Sequence, residues 1–363
     1  MVSTILPFVG TLCLILLLRK YASGFGLVDA PSGRKTHTGE IPLIGGLAIG
    51  TTFILASLTL YSNEPIILPL IVCCLIILVT GVFDDIYELS ARNKFVGQGI
   101  AAVLMASWAG LSVSNLGDIF GTGDVELGAW AVPFTVFCVI GLINAINMID
   151  GLDGLAGGIA AIAAVWIGII SQIVFPVGYA ALLFSLAAAV GGFLVFNLRH
   201  PLRKRASVFL GDAGSMFLGF ALVWFIIHLT EGSSAAAIEG GAGNFYPISA
   251  VWILGLPIID TLYLMLRRTI RSGSPFAADR RHIHHTLMYM GLSAATTLWV
   301  LLAVSALLGT IGFCGWYFSV PEYVLTIGFI GMFATYCAVM QYWKQMFAFF
   351  SSQHGHVLHK TAQ

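Results

Sequence analysis

Charged side chains are scarce in this chain. Asp, Glu, Lys and Arg make up 9% of the 363 residues, whereas hydrophobic residues make up 58%, and the mean hydropathy is +0.93. No soluble domain is that apolar, so the composition indicates a polytopic membrane protein. The 17 basic and 17 acidic residues leave a net charge of zero. This balance excludes a nucleic-acid-binding protein on electrostatic grounds.

Signal-peptide and cysteine motifs are also absent. The first apolar run, residues 3–18, has neither a charged segment before it nor a small-residue cleavage site, which favours a retained first span over a signal peptide. The six cysteines lack C-x-x-C spacing and all fall in apolar runs. They are interpreted as small buried side chains that imply neither disulfide bonds nor zinc. These residues are Cys13, Cys73, Cys74, Cys138, Cys314 and Cys337.

Eleven apolar runs are long enough to cross the roughly 30 Å hydrocarbon core of a bilayer. They lie at approximately 3–18, 43–61, 66–83, 95–112, 130–148, 155–174, 177–196, 213–230, 247–266, 294–317 and 322–343. When the loops are assigned alternately to the two sides, all 17 Lys and Arg residues fall on one side. The positive-inside rule then predicts an all-α polytopic protein with its N-terminus outside and its C-terminus in the cytoplasm.

The stretch from Asn144 to Leu155 joins two of these runs and contains two amides and two carboxylates. Asn144 and Asn147 are predicted to share one face near the end of a helix. Two glycines then permit a tight turn, and Asp153 can cap a helix that begins near Leu155. A polar turn with an N-cap explains Asp153 alone, but it accounts poorly for four such residues. The alternative is an oxygen-ligand site for a hard cation that holds phosphates.

Five carboxylates are predicted to lie at the same depth, at the cytoplasmic ends of four or five helices. Left alone they would repel one another, which argues for a cation among them. Ligation by oxygen alone indicates Mg²⁺ or Mn²⁺, and Mg²⁺ usually takes one or two carboxylates together with substrate phosphates. The five residues are Asp84, Asp85, Asp150, Asp153 and Asp212.

Two glycine pairs precede apolar helices, Gly45-Gly46 and Gly211-x-x-Gly214. The N-terminus of a glycine-rich helix offers backbone N–H groups and a positive dipole end, which suit phosphate. Taken singly, each pair is better explained by close helix packing. Together with the basic loops, the two pairs indicate a diphosphate site.

The segment His282-Ile-His284-His285 is the other polar cluster in a predicted cytoplasmic loop. Its spacing permits zinc, but because few further ligands lie in these loops, hydrogen bonding to phosphate is favoured. Asp260 lies near the cytoplasmic end of its span, either as the buried partner of an arginine or helix N–H or in support of the site.

Four motifs together resemble the signatures of the polyprenyl-phosphate N-acetylhexosamine-1-phosphate transferases. They are Asp84-Asp85-x-x-Glu88, Asn144-x-x-Asn147-x-x-Asp150-Gly-x-Asp153-Gly, Gly211-Asp212-x-Gly214 and His282-x-His284-His285. The resemblance extends from the first loop to the last span, and the ordered set is very specific. At position 88 we expect aspartate in close relatives and lysine in the peptidoglycan branch, whereas this chain has glutamate. The absence of lysine argues against the peptidoglycan branch, and the role of Glu88 stays open. The segment 274–285 is similar to the branch that uses UDP-GlcNAc.

The resemblance implies that UDP-GlcNAc and undecaprenyl phosphate react to give undecaprenyl-diphosphate-GlcNAc and UMP. It also implies a bacterial inner-membrane enzyme with a cytoplasmic site that starts O-antigen or enterobacterial common antigen synthesis. Residues 1–343 would form one transmembrane catalytic domain, followed by a cytoplasmic tail, 344–363. The implied roles are Mg²⁺ or Mn²⁺ binding by Asp212 and Asn147, catalysis by Asp84, Asp85, Asp150 and Lys94, nucleotide binding by Asp153, Phe209 and Asn144, and diphosphate or sugar binding by Arg280, Arg281, His282, His284 and His285.

Other functions remain open beside this one. A sister transferase that uses another UDP-N-acetylhexosamine would share every motif, and the sequence leaves a homodimer undecided. A transporter would need polar residues near the bilayer midplane, whereas nearly all of them lie at helix ends. A scaffolding protein would not need the carboxylate set.

Overall fold

Helices account for nearly all the regular structure in this computed structural model, which describes residues 2–29, 39–175, 178–199, 203, 205–238, 244–270 and 282–353. The α-helices are α1 (Val2–Leu18), α2 (Gly45–Tyr61), α3 (Ile67–Tyr87), α4 (Ala91–Ser107), α5 (Ala131–Ile149), α6 (Leu155–Val174), α7 (Ala180–Asn197), α8 (Gly211–Ile238), α9 (Pro247–Ile253), α10 (Gly255–Ile270), α11 (Ile283–Tyr289), α12 (Ala294–Tyr317) and α13 (Glu322–Gln353). Two short antiparallel strands, β1 (Val28–Asp29) and β2 (Ile41–Pro42), pair with each other. The predicted all-α class is confirmed.

Seven helices among the described residues are long and apolar enough to cross a membrane, and α9 with α10 would make an eighth. Helices α1, α2 and α4 have 17 residues each. A multi-pass membrane protein is therefore confirmed, whereas the count of eleven crossings and the orientation of the termini stay predictions. Helix α13 continues to Gln353, so the predicted start of the tail at residue 344 falls inside a helix.

Helix α8 is the centre of the bundle. Of an apolar 18-residue stretch within Gly211–Ser233, 94% is buried inside the protein, and α8 packs against α2, α3, α5 and α6. Phe53 of α2 meets Phe217 of α8 edge to face, with 5.7 Å between ring centroids. Because lipid tails are as apolar as these side chains, close packing rather than exclusion of water holds such helices together.

Glycines bring the first turn of α8 against α2 and α3. A Cβ built on Gly46 would lie 2.1 Å from the backbone nitrogen of Gly214, and one built on Gly81 would lie 2.2 Å from the Cα of Ala213. Larger residues would force the backbones apart, as is general for small residues at helix contacts in membranes. The packing holds Asp212, the second residue of α8, beside the ends of two other helices.

The span predicted over residues 247–266 is two helices instead of one. Helices α9 and α10 meet at Leu254 with a bend of 87°. Pro257 explains the break, because it has no N–H to donate to the carbonyl of residue 253 and its ring crowds that carbonyl. It is tolerated as the third residue of α10, where the first-turn N–H groups need no partner within the helix.

Acidic side chains bind loop residues near the other end of α8. Glu231 accepts hydrogen bonds from the backbone N–H and the hydroxyl of Ser114, at 2.9 and 2.7 Å, and Glu322 accepts one from Asp118 N–H at 3.0 Å. Glu231 lies 19 residues after Asp212, a helix length of about 28 Å. The protein therefore separates this acidic end from the end where Asp212 lies.

Candidate active site

The turn between α5 and α6 forms where the sequence predicts it. Helix α5 ends at Ile149 and α6 begins at Leu155. Gly154 has a φ of +85°, a left-handed conformation that glycine adopts without steric cost. Its N–H donates to the side-chain oxygen of Asn197 at 2.6 Å, and the amide of Asn197 donates to the carbonyl of Val208 at 2.9 Å. Asn197 thus ties this turn to the segment that leads into α8.

Asp153 does not cap α6, and that part of the prediction is wrong. Its Oδ2 atom accepts hydrogen bonds from Arg199 Nε at 2.8 Å and from Ala206 N–H at 3.0 Å. The N-cap position belongs to Gly154, which has no side chain to donate or accept. The carboxylate of Asp153 therefore links the turn to the segment after α7, and its predicted contact with a nucleotide stays a prediction.

Lys94 connects two of the predicted carboxylates. Its ammonium group forms an ion pair with Asp84 Oδ2 and lies 3.5 Å from Asp212 Oδ2. Asp84 is 2% exposed, and its other oxygen accepts a hydrogen bond from Leu89 N–H at 2.8 Å. Helices α3, α4 and α8 therefore meet through one cation and two carboxylates. A buried charge of this kind is tolerated only when it is paired.

Asp85 binds the N-terminus of α8. Its two oxygens accept hydrogen bonds from Asp212 N–H at 2.7 Å and from Ala213 N–H at 3.1 Å. These N–H groups have no partner inside the helix, and a carboxylate there also offsets the positive end of the helix dipole. Asp85 thus fixes the backbone of Asp212, a role that the sequence pattern does not indicate.

The two asparagines of α5 have different partners. The Asn147 amide donates to Asp212 Oδ1 at 2.5 Å and to Ser215 Oγ at 2.8 Å. The Asn144 amide donates to Gln98 Oε1 at 2.8 Å and to the Ile140 carbonyl. Asn147 therefore belongs with Asp84, Asp85 and Asp212, which together with Asp150 and Asp153 are called the carboxylate cluster, and Asn144 lies one turn deeper against α4.

Asp150 is the residue that follows the last turn of α5, beside the other members of the carboxylate cluster. Its side chain reaches solvent, but the many protein atoms around it, followed by the negative charges of Asp212, Asp153 and Asp85, together raise its pKa to about 8. Burial and like charges both disfavour the ionised form. The five predicted carboxylates thus lie within electrostatic reach of one another.

The first N–H groups of the two glycine-rich helices bind protein, which contradicts the diphosphate site predicted for them. Gly45 and Gly46 donate to the carbonyls of Phe209 and Leu210 at 3.0 and 2.9 Å, and the first turn of α8 donates to Asp85. The glycines serve close helix packing, which is the explanation that each pair favours when it is considered alone. Phe209 itself is half-buried, and its backbone bridges β2 and α2.

The histidine segment lies against the turn after α5. A Cβ built on Gly151 would lie 2.5 Å from His284 Nε2. His284 is 1% exposed, and burial, followed by the charges of His285 and His282, lowers its pKa to about 3, so the ring is neutral at pH 7. Both of its ring nitrogens lack a hydrogen-bond partner among the described residues. Arg280 and Arg281 lie outside the described residues.

The oxygen atoms of Asp212 and Asn147 suit a Mg²⁺ ion that would take its remaining ligands from water and substrate. Within the described residues, no three His, Cys, Asp or Glu side chains form a metal site by themselves. Mg²⁺ usually takes one or two carboxylates and completes its shell with water and substrate phosphates. Asp212 and Asn147 would supply adjoining oxygen ligands if the amide of Asn147 turned its oxygen toward Asp212. One lysine beside several carboxylates leaves an excess of negative charge, which a divalent cation would offset.

Sequence reasoning missed several supporting residues. Gln98 is fully buried between Asn144 and Met216, Arg199 binds Asp153, and Ser215 binds Asn147. Gln98 lies one helical turn after Lys94, and this i, i+4 spacing was the available signal. The partner of Arg199 could not be found from the sequence, because 46 residues separate it from Asp153.

An apolar helix bundle with carboxylates, a lysine and histidines gathered at one end defines an integral membrane enzyme. The family model for glycosyl transferase family 4 matches residues 67–230, which include every carboxylate of the cluster. The chain is 33% identical to the undecaprenyl-phosphate alpha-N-acetylglucosaminyl 1-phosphate transferase of Haemophilus influenzae over 93% of this chain and 92% of that protein. The proteins of the same name from Pasteurella multocida and Escherichia coli K12 are 34% and 33% identical, over 95% and 93% of this chain and 94% and 90% of their own.

The chain therefore belongs to glycosyl transferase family 4, the polyprenyl-phosphate N-acetylhexosamine-1-phosphate transferases. It is a membrane phosphotransferase. The histidine segment lies outside the matched residues, so its place beside the carboxylate cluster comes from the structure.

Proposed function

We propose that this enzyme transfers GlcNAc-1-phosphate from UDP-GlcNAc to undecaprenyl phosphate and releases UMP. The observation that carries the proposal is the group formed by Asp84, Lys94 and Asp212, with Asn147 on the same carboxylate. It offers oxygen ligands and an ammonium group at one place, as a diphosphate with its metal requires. Relatives similar over nine-tenths of the chain carry the name of this activity.

Asp212 and Asn147 would hold Mg²⁺ or Mn²⁺. Bound there, the ion would neutralise charge on the diphosphate of the donor. Lys94 stands 3.5 Å from Asp212, close enough to bind a phosphate oxygen that lies beside the carboxylate. Asp85 keeps the backbone of Asp212 in place through two hydrogen bonds. The protein thus supplies both a rigid ligand and a fixed positive charge.

Asp84 is proposed to position groups rather than to remove a proton. The acceptor is a phosphomonoester with a second pKa near 6, which is mostly dianionic at pH 7, so little proton remains to be taken. Both oxygens of Asp84 are engaged, one by Leu89 N–H and the other by Lys94. Asp84 therefore orients Lys94 so that nucleophile and phosphorus can align.

The histidine segment and the turn after α5 are proposed to grip the donor. His284 is buried against Gly151 with both nitrogens unpartnered among the described residues, so a bound phosphate or sugar hydroxyl would complete its hydrogen bonding. His282, His285, Arg280 and Arg281 are proposed to act beside it. Asp153, Phe209 and Asn144 are proposed to contact the nucleotide, and Asp150 to complete the catalytic carboxylates.

The cellular setting is part of the proposal. All basic loops are predicted to face the cytoplasm, where UDP-sugars are present, so the site would lie on the cytoplasmic face of a bacterial inner membrane. One phosphoanhydride is broken and another is formed, so the exchange is nearly thermoneutral and later steps must consume the product. The first membrane step of O-antigen or enterobacterial common antigen synthesis meets that requirement.

The test is release of UMP by the purified protein in detergent with UDP-GlcNAc, undecaprenyl phosphate and MgCl₂. Omitting the lipid phosphate or adding EDTA should each abolish release. A sister transferase would prefer another UDP-N-acetylhexosamine, and competition between UDP-sugars in one assay separates the two. Absence of UMP with every UDP-sugar would reject the proposal and favour a transporter or a scaffold.

A further inference from the structure

Asp260 of α10 is the centre of a buried hydrogen-bond network outside the carboxylate cluster. It is 1% exposed. Its Oδ1 atom accepts hydrogen bonds from the Tyr336 hydroxyl at 2.6 Å and from Ile283 N–H at 3.1 Å, and its Oδ2 atom lies 2.7 Å from His282 Nδ1. One carboxylate thus joins α10, α11 and α13 at the start of the histidine segment.

The partners of Asp260 determine where the proton on His282 lies. Ile283 N–H can only donate, so Oδ1 must accept from it. Oδ1 accepts from both of its partners, and we infer that Oδ2 is an acceptor too, so that His282 Nδ1 carries the hydrogen that joins it to Oδ2. The tautomer of a histidine is set in this way by the bond that one of its nitrogens makes. In this tautomer Nε2 is the acceptor nitrogen, and it remains for a ligand that donates a hydrogen bond.

The ring that Asp260 orients is connected to the turn after α5. The rings of His282 and His284 stack, with 5.6 Å between centroids and 15° between planes. His284 in turn lies against Gly151. A rotation of His282 would therefore displace His284 from the turn, because packed rings have little room to move separately.

We propose that Asp260 is a positioning residue that fixes the tautomer and the orientation of His282, so that Nε2 of His282 accepts a hydrogen bond from a hydroxyl group of the donor sugar. This inference rests on the proposed function. Asp260 itself touches no substrate and acts through His282. Tyr336 and Ile283 N–H hold the carboxylate in place by occupying its other oxygen.

Asp260→Asn tests the proposal because it keeps the shape of the side chain and replaces one acceptor oxygen with an NH₂ donor. The amide oxygen of the new residue would accept from Ile283 N–H, so its NH₂ group would face His282 and donate to Nδ1. The proton of His282 would then move to Nε2. We expect kcat/KM for UDP-GlcNAc to fall by about tenfold to a hundredfold, as when the partner that orients a histidine is lost. The KM for undecaprenyl phosphate should not change.

Tyr336→Phe is the matched control. It removes one hydrogen bond from Asp260 but leaves the bond between Asp260 and His282, so it should keep the native tautomer and most of the activity. Side-chain ¹⁵N chemical shifts of ¹⁵N-histidine-labelled protein, assigned with His282→Gln, report the tautomer directly. In a double-mutant cycle, Asp260→Asn should add little to His282→Ala, because both changes act through the same ring.

Two results would overturn the proposal for Asp260, and a third would instead reject the proposed function. A native ¹⁵N spectrum and native kcat/KM in Asp260→Asn would overturn the proposal. A loss of activity that adds fully to that of His282→Ala would also overturn it, since Asp260 would then act elsewhere. If wild-type protein releases no UMP, the proposed function fails, and the spectra of wild type and Asp260→Asn alone decide whether Asp260 sets the tautomer.

Discussion

His284 lies directly against Gly151, with its Nε2 atom 2.5 Å from the position that a Cβ would occupy. The two residues are 133 positions apart, and their contact joins the histidine segment to the turn that separates α5 from α6. Only a glycine leaves room for the ring. The contact places two ring nitrogens, which have no partners among the described residues, beside the turn that carries Asp150 and Asp153.

Gly151→Ala should displace the imidazole of His284, because a methyl group cannot share its space. We expect kcat/KM for UDP-GlcNAc to fall by about a hundredfold, the cost of a displacement on the order of 1 Å in a catalytic arrangement. The measurement is UMP release under saturating lipid phosphate. Gly141→Ala is the control, since a Cβ on that α5 glycine meets nothing within 4 Å. Equal activity in both variants would show that His284 does not act from its observed position.

Asp84→Asn should lower kcat by about a hundredfold at every pH from 6 to 9, because Lys94 loses the partner that orients it. A general base would behave differently. Its loss would matter least where the lipid phosphate is already fully deprotonated, so a defect that vanishes above pH 8 would identify Asp84 as a base. The pH profile of kcat for wild type and variant distinguishes the two roles.

Asp85→Ala should destabilise the protein, since two N–H groups of α8 lose their acceptor. Loss of such a cap costs about 0.5–2 kcal/mol. Asp85→Asn keeps one acceptor oxygen and should lie between wild type and Asp85→Ala in both thermal stability and activity. Glu88→Gln, an exposed acid in the same motif, should match wild type. An unchanged melting temperature in Asp85→Ala would show that the cap contributes nothing.

Asp150 should make the metal-free protein less stable as pH rises. Its folded pKa, about 8, lies above its ordinary value of 3.8, so its contribution is fully present below that ordinary value and is lost as pH rises through about 8. Asp150→Asn lacks this loss, so the gap in melting temperature between variant and wild type should widen from pH 5 to pH 9 in EDTA. MgCl₂ should narrow it by offsetting the neighbouring charges. A gap that does not vary with pH would contradict this account.

Local chemistry made part of the site predictable. The boundaries of α5 and α6 follow from the apolar runs and the glycines between them, and Gly154 has the left-handed backbone that such a turn needs. The position of Asp153 was predictable, but its partner was not. In the sequence, a carboxylate before a helix looks like an N-cap whether it binds the first N–H groups of that helix or an arginine from another part of the chain.

For the two glycine pairs, too, the position was predictable from the sequence but the contacting partner was not. Their spacing indicated helix starts, which is confirmed, and phosphate binding, which is wrong for the N–H groups at those starts. Both uses of glycine require close approach of a backbone, and the sequence does not tell what approaches. Here it is another helix and the carboxylate of Asp85.

By itself the sequence determined the membrane class, the approximate positions of most helices and which polar residues interrupt them, because apolar runs and their breaks are local properties. Tertiary structure alone decided that Lys94 pairs with Asp84 and Asp212, that Asp85 binds the start of α8, and that Asp260 holds His282. Each of these contacts depends on the packing of separate helices, and hydrogen bonds and ion pairs act only over a few ångströms.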